Sequence, residues 1–515
     1  MKPEGKTAGE LLDAAGAKLV TGDPEVAVTS IHYDSRQVEP GGLFIALRGG
    51  YADGHAFLTD ALERGAVAAL VEDSSEASAF LACGVVENTR AALSPLSARY
   101  FDNPGDHLGV IGVTGTDGKT TTTYLIDAIL RSNGLRTGLV GTVSIRIGDS
   151  VVDHDTRQTT PESLEVQRLL AEMRSESVNW AVLEATSHAL ALYRLDDCPF
   201  DIAVITNVTR EHLDFHGSVD AYRQAKAQLI RRVEKGTGRP YPRGVVANLD
   251  DEGSRTIAES STIPVHWFSV EDSTADLFAS DVQVHAEGTR FKLTSGAGSV
   301  EINLKLIGGY NVFNAMAAAG AGLITGLDLD AIRDGLESLP YVPGRMQRIE
   351  CGQPFSVIVD YAHSPASLEA TLNLVRSVTS GRVIVVGGSA GERDRGKRQL
   401  QGRVSAELAD LAIFTSEDPR FEAPDVIIAE IAEGAESTGA VSGRDFLTIE
   451  SRQEAIRTAV ELAEPGDSIL LAGKGHETCM IYEDKRIPWN EASEAKQALK
   501  SRGFSAVNPE MEGSA

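Results

Sequence analysis

Cysteine is scarce in this chain: four in 515 residues (Cys83, Cys198, Cys351 and Cys479), far apart and without a CxxC pair. A zinc ribbon and a disulfide-stapled fold are thereby excluded, and reduced, core-filling thiols of a cytoplasmic protein are expected. Long apolar runs are missing too. No uninterrupted stretch approaches the roughly 18 residues of a bilayer span. The opening MKPEGKTAGELLDAAG has no apolar leader core, so neither a membrane anchor nor an export signal is expected. Positive charge is in deficit, with 48 lysines and arginines against 74 acids and a net charge of -26. Such a surface repels polyanions, so nucleic acid is not an expected partner and any phosphate site must be local and backbone-built. The sequence holds no short internal repeat and no low-complexity tract, and its polar end NPEMEGSA reads as frayed.

What is present is ordinary globular composition, 42% hydrophobic and 24% charged, with 50 glycines. The length exceeds one core and fits roughly three domains. Residues 1–104 read as a small α/β unit, from the strand-like GGLFIALRG, the helical AFLTDALERGA and the strand-like VAALVE. Residues 105–338 change to strand, glycine loop and helix: HLGVIGV, TGTDGKT, then Leu125, Ile126, Ile129 and Leu130 at helical spacing, stopped by Asn133-Gly134. WAVLEA and DIAVIT add strands to a mostly parallel sheet. Between about 242 and 307 the period becomes two, with glycine turns, which predicts an antiparallel appendage. Residues 339–515 repeat the βα rhythm in FSVIVDYA, RVIVVGG, LAIFTSED and SILLAGKG, with helical stretches such as RQEAIRTAVELA, and predict a Rossmann-like doubly wound domain. The fold class is α/β in three domains.

GVTGTDGKTTTT (Gly112 to Thr123) joins a buried strand to a helix, so its backbone N–H groups and the helix N-terminus can hold phosphate oxygens. Lys119 would reach the terminal phosphates and the Thr120 hydroxyl would ligate magnesium. Gly112 and Gly118 are one residue further apart than the strict GxxxxGK[ST] pattern allows, and the strand-to-helix context carries the reading instead.

This segment resembles the ATP loop of the Mur ligase family, which builds the peptide of cell-wall precursors. Further matches follow in family order: TTPE (Thr159 to Glu162), EATSHAL, TNVTREHLDFHGSVDAYRQAK, GGYNVFNA, GRMQ, DYAHSP, GERDRGKR and GKGHE, with DSRQVEPGGLFIALRG and DGHAFLTDALERGA before them. Within the family these forms are most similar to the ligase that adds the third, diamino residue to UDP-N-acetylmuramoyl-L-alanyl-D-glutamate. The resemblance implies an N-terminal UDP-sugar-binding domain and a central P-loop ATPase domain. It implies a C-terminal domain that closes over ATP and binds the incoming amino acid. A cytoplasmic monomer acting on small molecules is expected.

The residues that the resemblance singles out follow from the charge problem. A carboxylate must be phosphorylated by ATP to an acyl phosphate, and carboxylate and triphosphate repel each other, so the site needs cations. Lys119 and two magnesium ions are implied, with Thr120, Glu184 and His212 as ligands. Lys226 matches the lysine that the family carbamylates with carbon dioxide, which turns an ammonium into an anionic ligand. The loop residues Gly115, Thr116, Asp117, Gly118 and Thr121 complete the ATP contacts, with Asn311 on the adenine side, Arg345 at the γ-phosphate and Asp360 at the ribose. Asp117 departs from the usual asparagine. Ser35, Tyr51, Ala52, Thr159, Thr160, Thr186 and Arg194 are implied for the UDP-sugar dipeptide, where Thr186 and Leu192 depart from the family's serine and polar residue.

For the incoming amino acid the resemblance points to Arg393, Gly473 and Glu477, and it aligns SEDPR with the family's selectivity loop. Diaminopimelate-adding relatives read D-N-P-R there, and the arginine pairs with the distal carboxylate. Here Arg420 is kept, but Glu417 and Asp418 precede it. A free Arg420 favours diaminopimelate, whereas an Arg420 neutralised by Asp418 or Glu417 suits lysine or ornithine. Diaminopimelate is the first expectation. A folate-type polyglutamate ligase shares the ATP loop but not the N-terminal unit or GKGHE. An inactive ligase-like subunit conflicts with the intact Lys119, Glu184, His212 and Lys226 set.

Overall fold

Apolar runs bounded by glycine turns become strands throughout the chain, whose computed structural model describes residues 5–49, 52–73, 75, 79–152 and 158–505. Contacts divide it into two units, one holding Met1–Ser280, Lys292–Ile302 and Val312–Ser338, the other Asp281–Phe291, Asn303–Asn311 and Leu339–Ala515.

The first unit opens with a two-stranded antiparallel pair, β1 (Lys6–Thr7) and β3 (Ala27–Val28). A five-stranded sheet runs β2 (Lys18–Gly22), β7 (Ala82–Val85), β6 (Ala68–Val71), β5 (Gly42–Ile45), β4 (Ser30–His32). Only the β2–β7 pairing in it is antiparallel. A second sheet is centred on β8 (Gly109–Thr114), whose six residues are all buried between the parallel neighbours β12 (Trp180–Glu184) and β13 (Ile202–Ile205). β9 (Thr137–Val140), β14 (Gly244–Asn248) and β15 (Val265–Ser269) extend the parallel part, and β10 (Ile145–Ile147) and β11 (Ser150–Val152) add an antiparallel edge. The register pairs Val113 with Glu184 and Thr114 with Ile205, so the loops after these three strands leave from one end of the sheet. In a parallel sheet that end is where ligands bind. The period-two segment forms three consecutive strands, β16 (Leu277–His285), β17 (Gly288–Ser295) and β18 (Gly298–Leu304).

In the second unit a six-stranded sheet runs β19 (Gln347–Arg348), β20 (Ser356–Asp360), β24 (Ser468–Ala472), β21 (Val383–Gly387), β22 (Leu411–Phe414), β23 (Phe446–Thr448). All pairings but β19–β20 are parallel. Leu368, Leu372, Ile427 and Ile431 pack in one apolar cluster and Ile456, Val460, Ala495 and Leu499 in another, so helices cover both faces as a doubly wound sheet requires. The loops after β20, β21, β22 and β24 share one end. A hairpin, β25 (Cys479–Tyr482) and β26 (Lys485–Pro488), follows. Among the described residues no helix is long and apolar enough to cross a membrane.

One buried ion pair ties the helices of this unit together. Arg452 Nε lies 3.0 Å from both carboxylate oxygens of Glu491, and its Nη2 donates to the Ala472 carbonyl at 2.7 Å. Both side chains are essentially inaccessible. Replacing Arg452 by Met should therefore strand a buried carboxylate and lower unfolding free energy by about 3–5 kcal/mol. Urea denaturation of the full chain followed by circular dichroism checks this.

Candidate active site

The loop after β8 is closed by glycine. Gly118 has φ +82°, and a Cβ on Gly115 would lie 1.9 Å from Thr206 Oγ1 while one on Gly118 would lie 2.2 Å from Asn314 Oδ1. The Thr116 N–H donates to the Asn207 carbonyl at 2.8 Å and the Asp117 N–H to Asn207 Oδ1 at 2.9 Å. Thr206 Oγ1 donates to the Asp117 carbonyl at 2.6 Å. The loop is thus pinned from the end of β13, and the Asp117 side chain is left exposed, where water screens its charge. The helix Lys119–Ser132 starts directly after Gly118, with Thr120 and Thr121 buried in its first turn. Lys119 Nζ donates to the Gly115 and Thr116 carbonyls at 3.0 and 2.8 Å.

Lys226, from the helix Val219–Lys235, reaches the same place: its Nζ donates to the Gly115 carbonyl at 2.6 Å and lies 4.6 Å from the Tyr222 ring centre. It is almost fully buried. Burial, then repulsion from Lys119, holds its pKa well below that of a free lysine. A neutral, nucleophilic amine is what carbon dioxide requires. Tyr222 itself is hydrogen-bonded to Thr116 Oγ1 at 3.0 Å.

Glu184 ends β12 with its carboxylate buried, accepting from the Thr142 N–H at 2.8 Å and the Thr142 hydroxyl at 3.1 Å. His212 sits in the left-handed region at φ +53°, with Nε2 3.5 Å from the Glu211 carboxylate and its ring 4.7 Å from that of His188. Burial, followed by the neighbouring His212 and His216, pushes the His188 imidazole down to about 4, so it is neutral at pH 7. Thr120 and Glu184 are hard oxygen donors of the kind magnesium takes, and a carbamate on Lys226 would add another. Among the described residues no three His, Cys, Asp or Glu side chains form a metal site of their own, so the ions would depend on phosphate oxygens and water as well.

Of the residues expected at the sugar nucleotide, Thr160 Oγ1 donates to the Glu184 carbonyl at 2.7 Å and lies 3.2 Å from Thr186 Oγ1. Thr159 Oγ1 lies 3.0 Å from Thr142 Oγ1. Thr186 caps the helix Ser187–Ala191. Arg194 donates to the Thr160 carbonyl at 3.1 Å and pairs with Glu162 at 3.0 Å, which also binds Arg90 at 3.1 Å. Ser35 opens a short turn capped by Asp34, and the Ala52 carbonyl accepts from the Gly49 N–H. Tyr51 lies outside the described residues.

In the second unit Asn311 donates to the Ile307 carbonyl at 2.9 Å. Arg345 lies over the Tyr361 ring, 5.1 Å from its centre. Asp360 accepts from the Met346 and Ala362 N–H groups at 2.8 and 2.9 Å, and its burial raises its pKa against these bonds and Arg345. Arg393 is exposed in the loop after β21, whereas Arg398 of the same motif is fully buried against Glu422 and Glu430.

The loop after β22, expected to select the amino acid, has an arrangement that the sequence left open. Asp418 Oδ1 accepts from Lys474 Nζ at 2.9 Å and from the Ile481 N–H at 3.0 Å, and Lys474 also binds Glu477 at 2.5 Å. Arg420 has φ +53°, and its N–H donates to the Ile481 carbonyl at 3.0 Å. Among the described residues its guanidinium has no hydrogen-bond or ion-pair partner, and Nε is buried. Glu417 is buried beside Gly473, where φ +103° and a Cβ only 2.4 Å from Glu417 Oε2 demand glycine. Its Oε2, with Ser389 Oγ and Ser416 Oγ, is likewise buried without a partner. These polar atoms, gathered after two adjacent strands, are donors and acceptors that water or a polar ligand could satisfy.

Several of these residues were not singled out in the sequence. Asn207, Thr206 and Glu162 belong to quoted motifs and Thr142 to none, but only their partners reveal what they hold. Lys474 stands inside GKGHE, where nothing local marks its partners.

A strand–glycine loop–lysine helix on a parallel sheet, with a second buried lysine at the loop, defines a P-loop nucleotide-binding enzyme whose second unit is a doubly wound sheet. Residues 27–100, 113–322 and 344–475 match in turn the Mur ligase family catalytic domain, the Mur ligase middle domain and the Mur ligase glutamate ligase domain. The UDP-N-acetylmuramyl-tripeptide synthetase of Roseiflexus sp. is 46% identical over 490 residues, 94% of this chain and 96% of that protein. The UDP-N-acetylmuramoyl-L-alanyl-D-glutamate:2,6-diaminopimelate ligase of Halalkalibacterium halodurans is 40% identical over 495 residues, 96% of this chain and 98% of that protein. A solved structure of a UDP-N-acetylmuramoyl-L-alanyl-D-glutamate:2,6-diaminopimelate ligase matches with a TM-score of 0.69 at 30% identity, covering 97% of this chain and 100% of the other. The chain belongs to the Mur ligase family.

Proposed function

We propose that this protein is an ATP-dependent carbon–nitrogen ligase that adds meso-2,6-diaminopimelate to UDP-N-acetylmuramoyl-L-alanyl-D-glutamate in peptidoglycan precursor synthesis. The substrate carboxylate attacks the γ-phosphorus of ATP and ADP leaves. The amine of the incoming amino acid then attacks the acyl phosphate, phosphate leaves, and the amine loses a proton. Lys119 and the helix N-terminus hold the phosphates, with Gly115 to Thr121 around them. Asn311, Arg345 and Asp360 contact adenine, γ-phosphate and ribose. Two magnesium ions on Thr120, Glu184, His212 and carbamylated Lys226 would offset the repulsion between carboxylate and triphosphate. Ser35, Tyr51, Ala52, Thr159, Thr160, Thr186 and Arg194 bind the sugar nucleotide, and Arg393, Glu417, Asp418, Arg420, Gly473 and Glu477 the amino acid. The domains are 1–104, 105–338 and 339–515, in a cytoplasmic monomer.

The choice of amino acid is carried by one observation: Asp418 is engaged by Lys474 and the Ile481 N–H, so Arg420 keeps an unshared charge for a distal carboxylate. Lysine or ornithine is the alternative, favoured by Glu417, whose unpartnered Oε2 an ammonium would satisfy. Purified protein should release phosphate from ATP only with the sugar nucleotide and a diamino acid both present. Release without the sugar nucleotide would contradict the ligase reading. Arg420→Ala should lower kcat/KM for diaminopimelate about 10- to 100-fold, the worth of a charge-assisted forked contact, and lysine should suffer little. Equal losses for both amino acids would remove Arg420 from selection.

A further inference from the structure

We propose that Lys474 is a positioning residue for amino-acid selection: it takes up the charge of Asp418 so that Arg420 remains available to the ligand. The inference rests on the diaminopimelate reading above and gives it a cause.

Asp418 and Arg420 are two residues apart in one loop, and an unpaired carboxylate there would be a ready counter-ion for the guanidinium. The fold instead supplies a different cation. Lys474 is wholly buried, and its Nζ lies 2.9 Å from Asp418 Oδ1 and 2.5 Å from Glu477 Oε2. The same Asp418 oxygen accepts the Ile481 N–H at 3.0 Å. Backbone bonds then fix Arg420 itself: its N–H donates to the Ile481 carbonyl at 3.0 Å, and its carbonyl accepts from the Glu483 N–H at 2.7 Å. The loop is laced to β25 on both sides of Pro419. An amide at position 418 could accept the Ile481 N–H equally well, but only a carboxylate needs the lysine. Buried charges persist when paired, and removal of one partner leaves the other seeking a substitute. Without Lys474, Asp418 would turn to Arg420.

The test compares the ratio of kcat/KM for diaminopimelate to that for lysine in the purified full chain. Lys474→Met should lower this ratio about tenfold or more, the loss of one charge-assisted contact. Asp418→Asn/Lys474→Met, which removes both charges, should return it to within about threefold of the Asp418→Asn value. An unchanged ratio in Lys474→Met overturns the inference. If that variant does not fold, the double variant decides, because it removes the buried Asp418 charge and leaves only Glu477, which is open to solvent, without its lysine: a ratio well below that of Asp418→Asn shows that Lys474 acts other than through Asp418 and overturns the inference. Wild-type protein that prefers lysine removes the underlying reading, whereas a diaminopimelate-selective wild type with indifferent variants removes the inference only.

Discussion

Lys119→Ala is expected to lower kcat/KM for phosphate release roughly 1,000-fold, the scale seen when one fixed charge at a transferring phosphoryl group is removed. Its melting temperature should stay near that of the parent. The reason lies in how the residue is held. Lys119 is the first residue of its helix and only partly buried, and its ammonium donates to the carbonyls of Gly115 and Thr116. Those carbonyls belong to the loop that the ATP reading places at the phosphates, so the ammonium is stored where the terminal phosphates would draw it away. The helix N-terminus remains in the variant and keeps part of the nucleotide affinity. The loss should therefore fall mainly on kcat. Lys119→Arg should recover little, because a planar fork does not replace a compact point charge at this closely packed loop. Activity within about threefold of the parent in Lys119→Ala would exclude the loop from catalysis.

Lys226→Ala and Lys226→Arg should each lose roughly 100- to 1,000-fold in turnover. A surface lysine would tolerate both changes. Lys226 is instead buried against Tyr222 with its amine 2.6 Å from the Gly115 carbonyl, beside a second lysine. Two ammonium groups sharing one carbonyl in a dry site repel each other, and burial adds to the push towards the neutral form. The neutral amine can attack carbon dioxide, forming an N–C bond and releasing a proton. Parent protein stripped of dissolved carbon dioxide should lose activity and regain it with bicarbonate. Neither variant should respond. A fully active Lys226→Arg would rule out the carbamate, since arginine retains charge but cannot form one.

Much of the fold was legible because parallel strands write themselves as uninterrupted apolar runs. GVIGVT, WAVLE, IAVI, SVIVD and SILLA are strands in the structure, and helices follow where the periodicity places them. That Thr114, Glu184 and Asp360 each end a strand was legible for the same reason, because each motif sits at or just after its run. Pairings between distant loops were not. Lys474 meets Asp418 across 56 positions and Lys226 meets Gly115 across 111. No local pattern encodes that a buried lysine will bind both Asp418 and Glu477. Sequence spacing left Arg420 either free or neutralised by Asp418 or Glu417, and the chain folds so that Lys474, just after β24, takes Asp418. Arg194 likewise has partners that no local pattern shows, Glu162 and the Thr160 carbonyl.

Protein incubated with ATP, magnesium, UDP-N-acetylmuramoyl-L-alanyl-D-glutamate and an equimolar mixture of diaminopimelate, lysine and ornithine can be followed by mass spectrometry of the nucleotide product. The sugar nucleotide should gain the mass of diaminopimelate less water, with one ADP and one phosphate formed per product. A product carrying lysine or ornithine would contradict the assignment of Arg420, and ADP formed without any extended nucleotide would contradict the ligase itself.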